Sequence, residues 1–213
     1  MDERFCVYCF QERNDLESLF LNENILCSVC QSQFEIHKKT YRVNGIFFHI
    51  LYVYNDFLQS MIFQYKEQRD VVLAPVFLES QKWLKKKLKQ YNVCGMCSSE
   101  LKRNIRGFEP VLDMFSCIGI NVRSPFYRLG NQKQASRNKK ERSKIEDEIF
   151  LKNLRFPDRR PICLVDDVIT TGATLHRGIE LLHPDCVFVL AAHPLWIQEH
   201  EKDEVRSSFF THS

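Results

Sequence analysis

Several features that would place a chain in a common class are missing from this sequence. The longest apolar stretch, residues 46–63, is interrupted by polar side chains such as His49 and Asp56, so no membrane span is expected. There is neither a Gly-Lys-Thr phosphate loop nor a Gly-x-Gly-x-x-Gly turn, which argues against an ATP or dinucleotide cradle. The acidic start, with Asp2 and Glu3 before only a short apolar patch, does not resemble a secretory leader. We therefore expect a cytoplasmic protein with reduced cysteines.

A large excess of one charge is also missing. The chain has 30 Lys and Arg residues against 27 Asp and Glu, a formal net charge of +3, which by itself does not indicate a nucleic-acid binder. Among the first 35 residues, acidic side chains outnumber basic ones, whereas basic residues concentrate in 82–89, 102–106 and 128–144. An acidic segment binds a negatively charged phosphate backbone poorly, so a protein-docking role is favoured. The 128–144 segment could serve DNA or a pyrophosphate, whereas the lysines of 82–89 are typical of a solvated helix face.

Four cysteines form two closely spaced pairs, Cys6-x-x-Cys9 and Cys27-x-x-Cys30, with seventeen residues between them. Each pair can form one short knuckle, and two knuckles at this separation are typical of a tetrahedral Zn²⁺ site with four thiolate ligands. Two disulfides or four unrelated buried thiols are the alternatives, but disulfides are not expected in a reducing compartment. The sequence predicts structural zinc bound by these four cysteines.

Chain length favours two units. We predict a four-cysteine zinc-finger module over residues 1–40 and an α/β domain over 41–213, because 213 residues suffice for one such domain plus a small module stapled by metal. The polar, basic stretch near 124–147 has weak periodicity. A segment of this kind beside a ligand site is typical of a flexible loop that acts as a lid.

The segment from Ile162 to Thr174 is the most informative part of the chain. An apolar run, typical of a buried parallel strand, leads into two adjacent carboxylates, Asp166 and Asp167. A loop of small and hydroxylated residues follows, and a helix with apolar spacing starts near Leu175. Backbone amides of such a loop, with the positive end of the helix dipole, favour an anion.

Two interpretations of this segment are open. The aspartates could merely cap a turn while the threonines begin an ordinary helix. We favour a phosphate-sugar site, because strand, acidic pair, small-residue loop and helix occur in the order that such a motif requires.

This segment resembles the phosphoribosyl pyrophosphate (PRPP) motif of type I phosphoribosyltransferases. The resemblance implies that Asp166 and Asp167 hold the ribose hydroxyls, and that the phosphate is bound by the loop residues Thr170, Thr171, Gly172, Ala173 and Thr174. It also implies a type I phosphoribosyltransferase-like parallel sheet flanked by helices, behind a small zinc-ribbon-like module.

Taken over nearly the whole chain, the sequence is similar to the ComF family, the phosphoribosyltransferase-like competence proteins, with GntX-type proteins as relatives. Besides the cysteine pairs and the PRPP motif, the resemblance depends on weaker matches at Tyr65, Lys66, Asp70, Arg106, Gly107, Phe108, Gln134, Glu141 and Arg142. The family usually continues Arg-Gly-Phe with Asn-Gln, where this chain has Glu109 and Pro110.

The ComF resemblance implies a PRPP-binding protein of DNA uptake and natural transformation that handles incoming single-stranded DNA. Its acidic zinc module would dock a helicase-like competence protein. If the chain is an active PRPP-dependent glycosyltransferase, Mg²⁺ accompanies PRPP, and Asp166, Asp167 and Arg106 are the catalytic candidates. Arg106 and Arg142 are then the candidates for binding pyrophosphate. A nucleobase phosphoribosyltransferase of nucleotide salvage is the alternative function.

Two further predictions concern aromatic and sulfur side chains. Phe108, Phe126 and Tyr127 lie in or beside basic segments and are candidates for stacking on the bases of single-stranded DNA. Cys94 and Cys97 form a third Cys-x-x-Cys pair without a partner pair. We interpret them as strand and turn thiols rather than as a redox or metal site.

Overall fold

The computed structural model describes residues 4–13, 25–96, 98, 100–128, 149–152, 156 and 158–211. The strands are β1 (Ile36–Val43), β2 (Ile46–Val53), β3 (Asn92–Gly95), β4 (Phe126–Arg128), β5 (Ile149–Leu151), β6 (Ile162–Ile169), β7 (Cys186–Ala192) and β8 (Glu204–Val205). The helices are α1 (Ser28–Ser32), α2 (Asp56–Glu67), α3 (Lys82–Leu88), α4 (Glu100–Arg106), α5 (Pro110–Cys117), α6 (Ala173–Leu182) and α7 (Pro194–Glu199), with 3-10 turns at Val71–Phe77 and Glu201–Asp203.

Six of these strands form one mixed sheet in the order β3-β6-β7-β2-β1-β8. The neighbours β3 and β6, β6 and β7, and β7 and β2 pair in parallel, whereas β1 pairs antiparallel with both β2 and β8. Every residue of β7 is buried, as expected for a central strand covered on both faces. The predicted α/β class with a parallel sheet is confirmed, and an antiparallel edge is added to it.

The antiparallel edge starts with a hairpin at Asn44 and Gly45, which have φ values of 50° and 86°. Two consecutive residues with positive φ are what a type I′ turn requires, and Asn-Gly is the pair that favours it most. The sequence therefore contained a hairpin signal here. β1 begins at Ile36, so the sheet already includes the last residues of the predicted 1–40 module, whose boundary stays a prediction.

Helices cover both faces of the sheet. On one face Leu51 and Phe188 pack with Tyr65, Phe77 and Phe115 from α2, the first 3-10 turn and α5. On the other face Ile50 and Val187 pack with Leu175 of α6 and Trp196 of α7. Such layering around a parallel sheet places ligand sites beyond the carboxyl ends of the strands.

A separate two-stranded ribbon, β4 and β5, lies on the α6 side of the sheet. Its register pairs Phe126 with Leu151 and Tyr127 with Phe150. Phe126 and Ile149 are buried in the same cluster as Leu175, so the ribbon packs against the helix that follows the acidic pair.

The described helices were compared with the length and apolar character of a membrane-spanning helix. Within them, no helix combines the length and the apolar character needed to cross a bilayer.

Candidate functional site

The acidic pair lies in β6 at the point where the neighbouring strand stops. β3 pairs with β6 only as far as Gly95 opposite Val165. β6 continues beyond that point against β7, with Asp166 opposite Val189. The strand extends beyond its apolar run and the acidic pair to Ile169, because pairing with β7 keeps the chain extended. The end of β3 nevertheless leaves one side of the acidic pair open.

Asp166 and Asp167 point to opposite faces of the sheet, as consecutive strand residues do. Asp167 is only 9% exposed, and its Oδ2 atom forms an ion pair with Nζ of Lys66 on α2. Asp166 is half-buried, and its Oδ1 atom accepts a hydrogen bond from the amide of Asp167 at 3.0 Å. Burial and the negative charge of Asp167 raise the pKa of Tyr54, so this carboxylate acts on the β2 side of the sheet as well.

The predicted phosphate loop forms the turn from β6 into α6. Gly172 has a φ of +78° and precedes the first helical residue, Ala173. Thr170, Thr171 and Ala173 are exposed, whereas Leu175 is buried beneath the helix. The amide of Ala173 donates to Oγ1 of Thr171 at 3.5 Å. The turn therefore presents small side chains and the start of a ten-residue helix to solvent, an arrangement that suits an anion.

A cavity of about 160 Å³ joins the acidic pair to three cationic side chains. Its lining residues are Lys66, Met96, Ser98, Lys102, Arg106, Pro110, Val111, Asp166, Asp167 and Thr174. The structure thus brings together Arg106, both aspartates and Thr174 of the predicted site. Arg142, the other predicted pyrophosphate ligand, lies outside the described residues, as does most of the predicted 124–147 loop.

Arg106 is positioned by α2. Its side chain is 8% exposed, and its terminal nitrogen pairs with Glu67. Its Nε atom is buried and has no hydrogen-bond partner among the described residues. A buried donor left unpaired costs about 1–3 kcal/mol, so an acceptor oxygen from a ligand would stabilise this side chain.

Lys66, Ser98 and Lys102 were not among the predicted site residues, although Lys66 was a weak family match. Lys102 precedes Arg106 by four residues in α4, a spacing that places both on one face of a helix. This spacing could have identified Lys102 from the sequence. Nothing in the local sequence connects Lys66 to Asp167, since the two residues lie on different elements.

The Arg-Gly-Phe turn is held in place by Tyr65. The ring of Tyr65 packs on Phe108 with centroids 5.2 Å apart, and its hydroxyl donates to the carbonyl of Pro110 at 3.1 Å. Glu109, which replaces the family's usual Asn, accepts from the amide of Ser98 at 3.4 Å. The glutamate that departs from the family pattern therefore connects the Arg-Gly-Phe turn to the segment before α4.

The four predicted zinc ligands converge at the other end of the chain. The sulfurs of Cys6, Cys9, Cys27 and Cys30 all lie within 4.8 Å of one another. The two knuckles are joined by the amide of Val7, which donates to the carbonyl of Ile25 at 3.1 Å. The amide of Cys30 donates to the sulfur of Cys27 at 3.5 Å.

This arrangement fits a zinc ion. The Cys9 and Cys27 sulfurs are 3.7 Å apart, close to the roughly 3.8 Å that a tetrahedral site with zinc–sulfur bonds of about 2.3 Å requires. The same distance is far longer than a disulfide bond of about 2 Å. Burial opposes ionisation of Cys6, but hydrogen bonds from the amides of Cys9, Cys27 and Tyr8 lower its pKa to about 7, whereas burial raises the pKa of Cys9 and of Cys30. The cluster is therefore compatible with structural zinc.

The third cysteine pair shows no sign of reactivity at its described member. Cys94 is fully buried in β3, and burial raises its pKa to about 11. A protonated, inaccessible thiol is a core residue rather than a nucleophile. Cys97 lies outside the described residues.

The predicted stacking residues are in part wrong. Phe126 is 1% exposed, since it points into the core beneath the ribbon. Phe108 is half-buried against Tyr65. Tyr127 is 42% exposed and remains a candidate for a stacking contact.

Comparison with known proteins gave two similar chains, whereas no family model matches. The chain is 28% identical to the competence protein ComFC of Streptococcus pneumoniae over 139 residues, 65% of this chain and 62% of that protein. It is 29% identical to the competence protein ComFC of Bacillus subtilis over 135 residues, 62% of this chain and 56% of that protein. The chain thus spans less than two thirds of the length of these curated relatives. The resemblance to the ComF family predicted from the sequence is confirmed.

Proposed function

We propose that this relative of the ComFC competence proteins is a competence-associated protein that binds PRPP and handles incoming single-stranded DNA in the cytoplasm during natural transformation. The observation that carries the PRPP assignment is the cavity in which Asp166, Asp167 and Thr174 meet Lys66 and Arg106. A sugar phosphate with a pyrophosphate group needs acceptors for its hydroxyls and cations for its phosphates, and this cavity offers both.

Each group has a role in the proposed complex. The carboxylates of Asp166 and Asp167 accept hydrogen bonds from the ribose hydroxyls, and the turn from Thr170 to Thr174 holds the 5-phosphate at the start of α6. Arg106 donates from its unpaired Nε atom to the pyrophosphate. Mg²⁺, bound by phosphate oxygens of the ligand beside the two carboxylates, would screen the charge of the pyrophosphate.

The DNA-handling part of the proposal is supported by the names of the two similar proteins and by the basic residues of 128–144. The proposed zinc module would dock a helicase-like competence protein. Phe10 and Val29, two apolar side chains beside the zinc ligands, are 68% and 63% exposed, which suits such a contact.

Replacing Asp167 by Asn tests the PRPP assignment, because charge and hydroxyl recognition predict opposite results. Removing a negative charge from the cavity should tighten the binding of any polyanion. If Asp167 accepts from a ribose hydroxyl, PRPP binding should instead weaken about tenfold or more, the equivalent of losing one hydrogen bond to a charged group. Titration calorimetry with PRPP and Mg²⁺ measures the difference.

Inorganic pyrophosphate is the matched ligand control, since it has the charge without the sugar. Its affinity for the Asp167→Asn variant should be unchanged or higher. Glu204→Gln is the matched protein control, because it removes an equal charge from an exposed pair with Lys39 at the far edge of the sheet. Equal PRPP affinity of the wild-type protein and a folded Asp167→Asn variant would refute the assignment.

A further inference from the structure

The outer face of the β4–β5 ribbon carries aromatic side chains where solvent-facing polar residues are usual. Directly opposite residues of an antiparallel pair share a face, so Tyr127 and Phe150 lie together on one face of the ribbon. Their rings are 5.5 Å apart with planes 25° from parallel. The inner face, with Phe126 and Ile149, is buried against the core. The outer pair therefore contributes little to the core and remains accessible.

Two described basic residues, Lys152 and Arg123, flank this aromatic pair along the chain. Lys152 follows Phe150 by two residues, so it falls on the same face, and its Nζ atom donates to the carbonyl of Ser124 at 3.3 Å. Arg123 lies on the approach to β4, with its guanidinium 5.9 Å from the ring of Phe156. Along the chain between β4 and β5, basic residues outnumber acidic ones, although Glu146, Asp147 and Glu148 directly precede β5.

We propose that the Tyr127–Phe150 pair is a stacking platform for the bases of single-stranded DNA, with Lys152 on the phosphate backbone. This inference rests on the proposed handling of single-stranded DNA and names the surface that performs it. Aromatic faces beside cations bind single strands without sequence preference, because every base presents a π-face and every nucleotide a phosphate. A duplex hides its bases, so the platform selects unpaired strands.

The platform is mechanically connected to the proposed PRPP site. β5 packs on α6, since Ile149 and Leu175 share a cluster, and α6 begins at the phosphate turn. The segment before β4 is bonded to the sheet, because the amide of Arg123 donates to the carbonyl of Val93 at 2.9 Å. DNA on the ribbon would therefore lie on an element that rests against the phosphate helix.

The alternative is that the two rings only stabilise a short ribbon, as cross-strand aromatic pairs do in many sheets. A Tyr127→Ile variant separates the two roles. Isoleucine has high strand propensity and keeps an apolar cross-strand neighbour, but it has no π-face for a base. Tyr127→Trp keeps both properties.

The experiment measures fluorescence anisotropy of a labelled oligothymidylate and of an abasic oligonucleotide of equal length, over a range of salt concentrations. The Tyr127→Ile variant should bind oligothymidylate about 5- to 140-fold more weakly, as expected for the loss of one stacked base. Its affinity for the abasic strand and its salt dependence should be unchanged. Tyr127→Trp should bind like wild type.

Phe47→Ile is the matched control. Phe47 is also an aromatic strand residue, it is 39% exposed, and it lies beside a cation, Arg42. It should not affect either probe. Equal losses for both probes, or wild-type binding by a folded Tyr127→Ile variant, would overturn the platform while leaving DNA handling intact. If the wild-type protein binds neither strand, the platform and the DNA-handling part of the proposed function both fall, whereas the PRPP test is unaffected.

Discussion

The ion pair between Lys66 and Asp167 is the residue-scale feature with most bearing on function. Both side chains are largely buried. Desolvating two charges offsets much of their attraction, so a buried pair is weak support for stability. Its position in the cavity instead suits a ligand that has both hydroxyls and phosphates. Asp167 could then accept from a hydroxyl of the ligand, and Lys66 could pair with a phosphate.

His49 gives a prediction about stability and pH. It is 4% exposed on β2, and its Nδ1 atom is 2.9 Å from the hydroxyl of Thr40. Burial, with a smaller effect of Lys87, lowers its pKa to about 3, whereas the unfolded chain titrates near 6.5. The unfolded state therefore binds the extra proton first. His49 should contribute stability that is complete above about pH 6.5 and is lost as the pH falls towards 3.

Urea unfolding of the wild type and of a His49→Asn variant, each at a series of pH values, measures this contribution. Asparagine offers an oxygen near the position of Nδ1 and does not titrate. From pH 7 to pH 5 the wild type should lose about 2 kcal/mol more unfolding free energy than the variant, given about 1.4 kcal/mol per pH unit for one proton. Parallel curves for the two proteins would show that His49 is not the titrating group.

At the scale of elements, β6, the turn from Thr170 to Thr174 and α6 act as one unit. Four apolar residues, two carboxylates, a turn of small residues and an amphipathic helix are contiguous, so each local preference in this segment agrees with the next. This is why the sequence predicted the order of the elements correctly. The strand's true end at Ile169 was not predictable, because it depends on pairing with β7.

Gly172 gives the element-scale prediction. Its φ of +78° is unfavourable for alanine, although the nearest atom to an added Cβ would be 3.5 Å away. Backbone strain is therefore the only cost, and Gly172→Ala should lower the free energy of unfolding by about 1–2 kcal/mol. It should also weaken PRPP binding, because the turn must shift to relieve the strain. Denaturant unfolding and calorimetry measure the two effects.

Gly45→Ala is the matched control for this turn. Gly45 has a φ of +86° with nothing within 4 Å of an added Cβ, and it lies in the β1–β2 hairpin. It should show a similar loss of stability and unchanged PRPP affinity. If both variants bind PRPP equally well, the turn after β6 does not hold the phosphate.

At the scale of the whole molecule, the zinc cluster and the sheet share one apolar core. Leu26 and the buried cysteines of the cluster belong to the same set of contacts as Leu51 and Tyr65. Tyr8 packs edge-on against Phe57 of α2 at 5.2 Å, and its hydroxyl donates to Ser60 at 3.1 Å. The knuckles therefore pack directly on α2, which carries Lys66, so a metal ion that orders the knuckles would also stabilise this helix.

Removing zinc should lower the thermal unfolding midpoint of the entire chain in a single transition, since the knuckles and α2 pack together. A chelator titration followed by circular dichroism measures this, with the wild type expected to contain one zinc per chain. Cys27→Ser should reproduce the effect, whereas Cys117→Ser, an exposed cysteine outside the cluster, should not. A sheet transition that keeps its midpoint in the chelated protein would mean that the two parts unfold independently.

The sequence by itself determined the features that depend on short spacing. Cysteine pairs with two residues between them specify a knuckle, and the contiguous run from Ile162 to Thr174 specifies a strand, an acidic pair and a turn of small residues. Only the tertiary structure decided which distant side chains join them. Lys66 pairs with Asp167, and Arg106 lines the same cavity, because α2 and α4 both border the end of β3. Phe126 points inward while Tyr127 points outward because of how the ribbon packs on α6. Local spacing is encoded in neighbouring residues, whereas these contacts depend on how separate elements share one core.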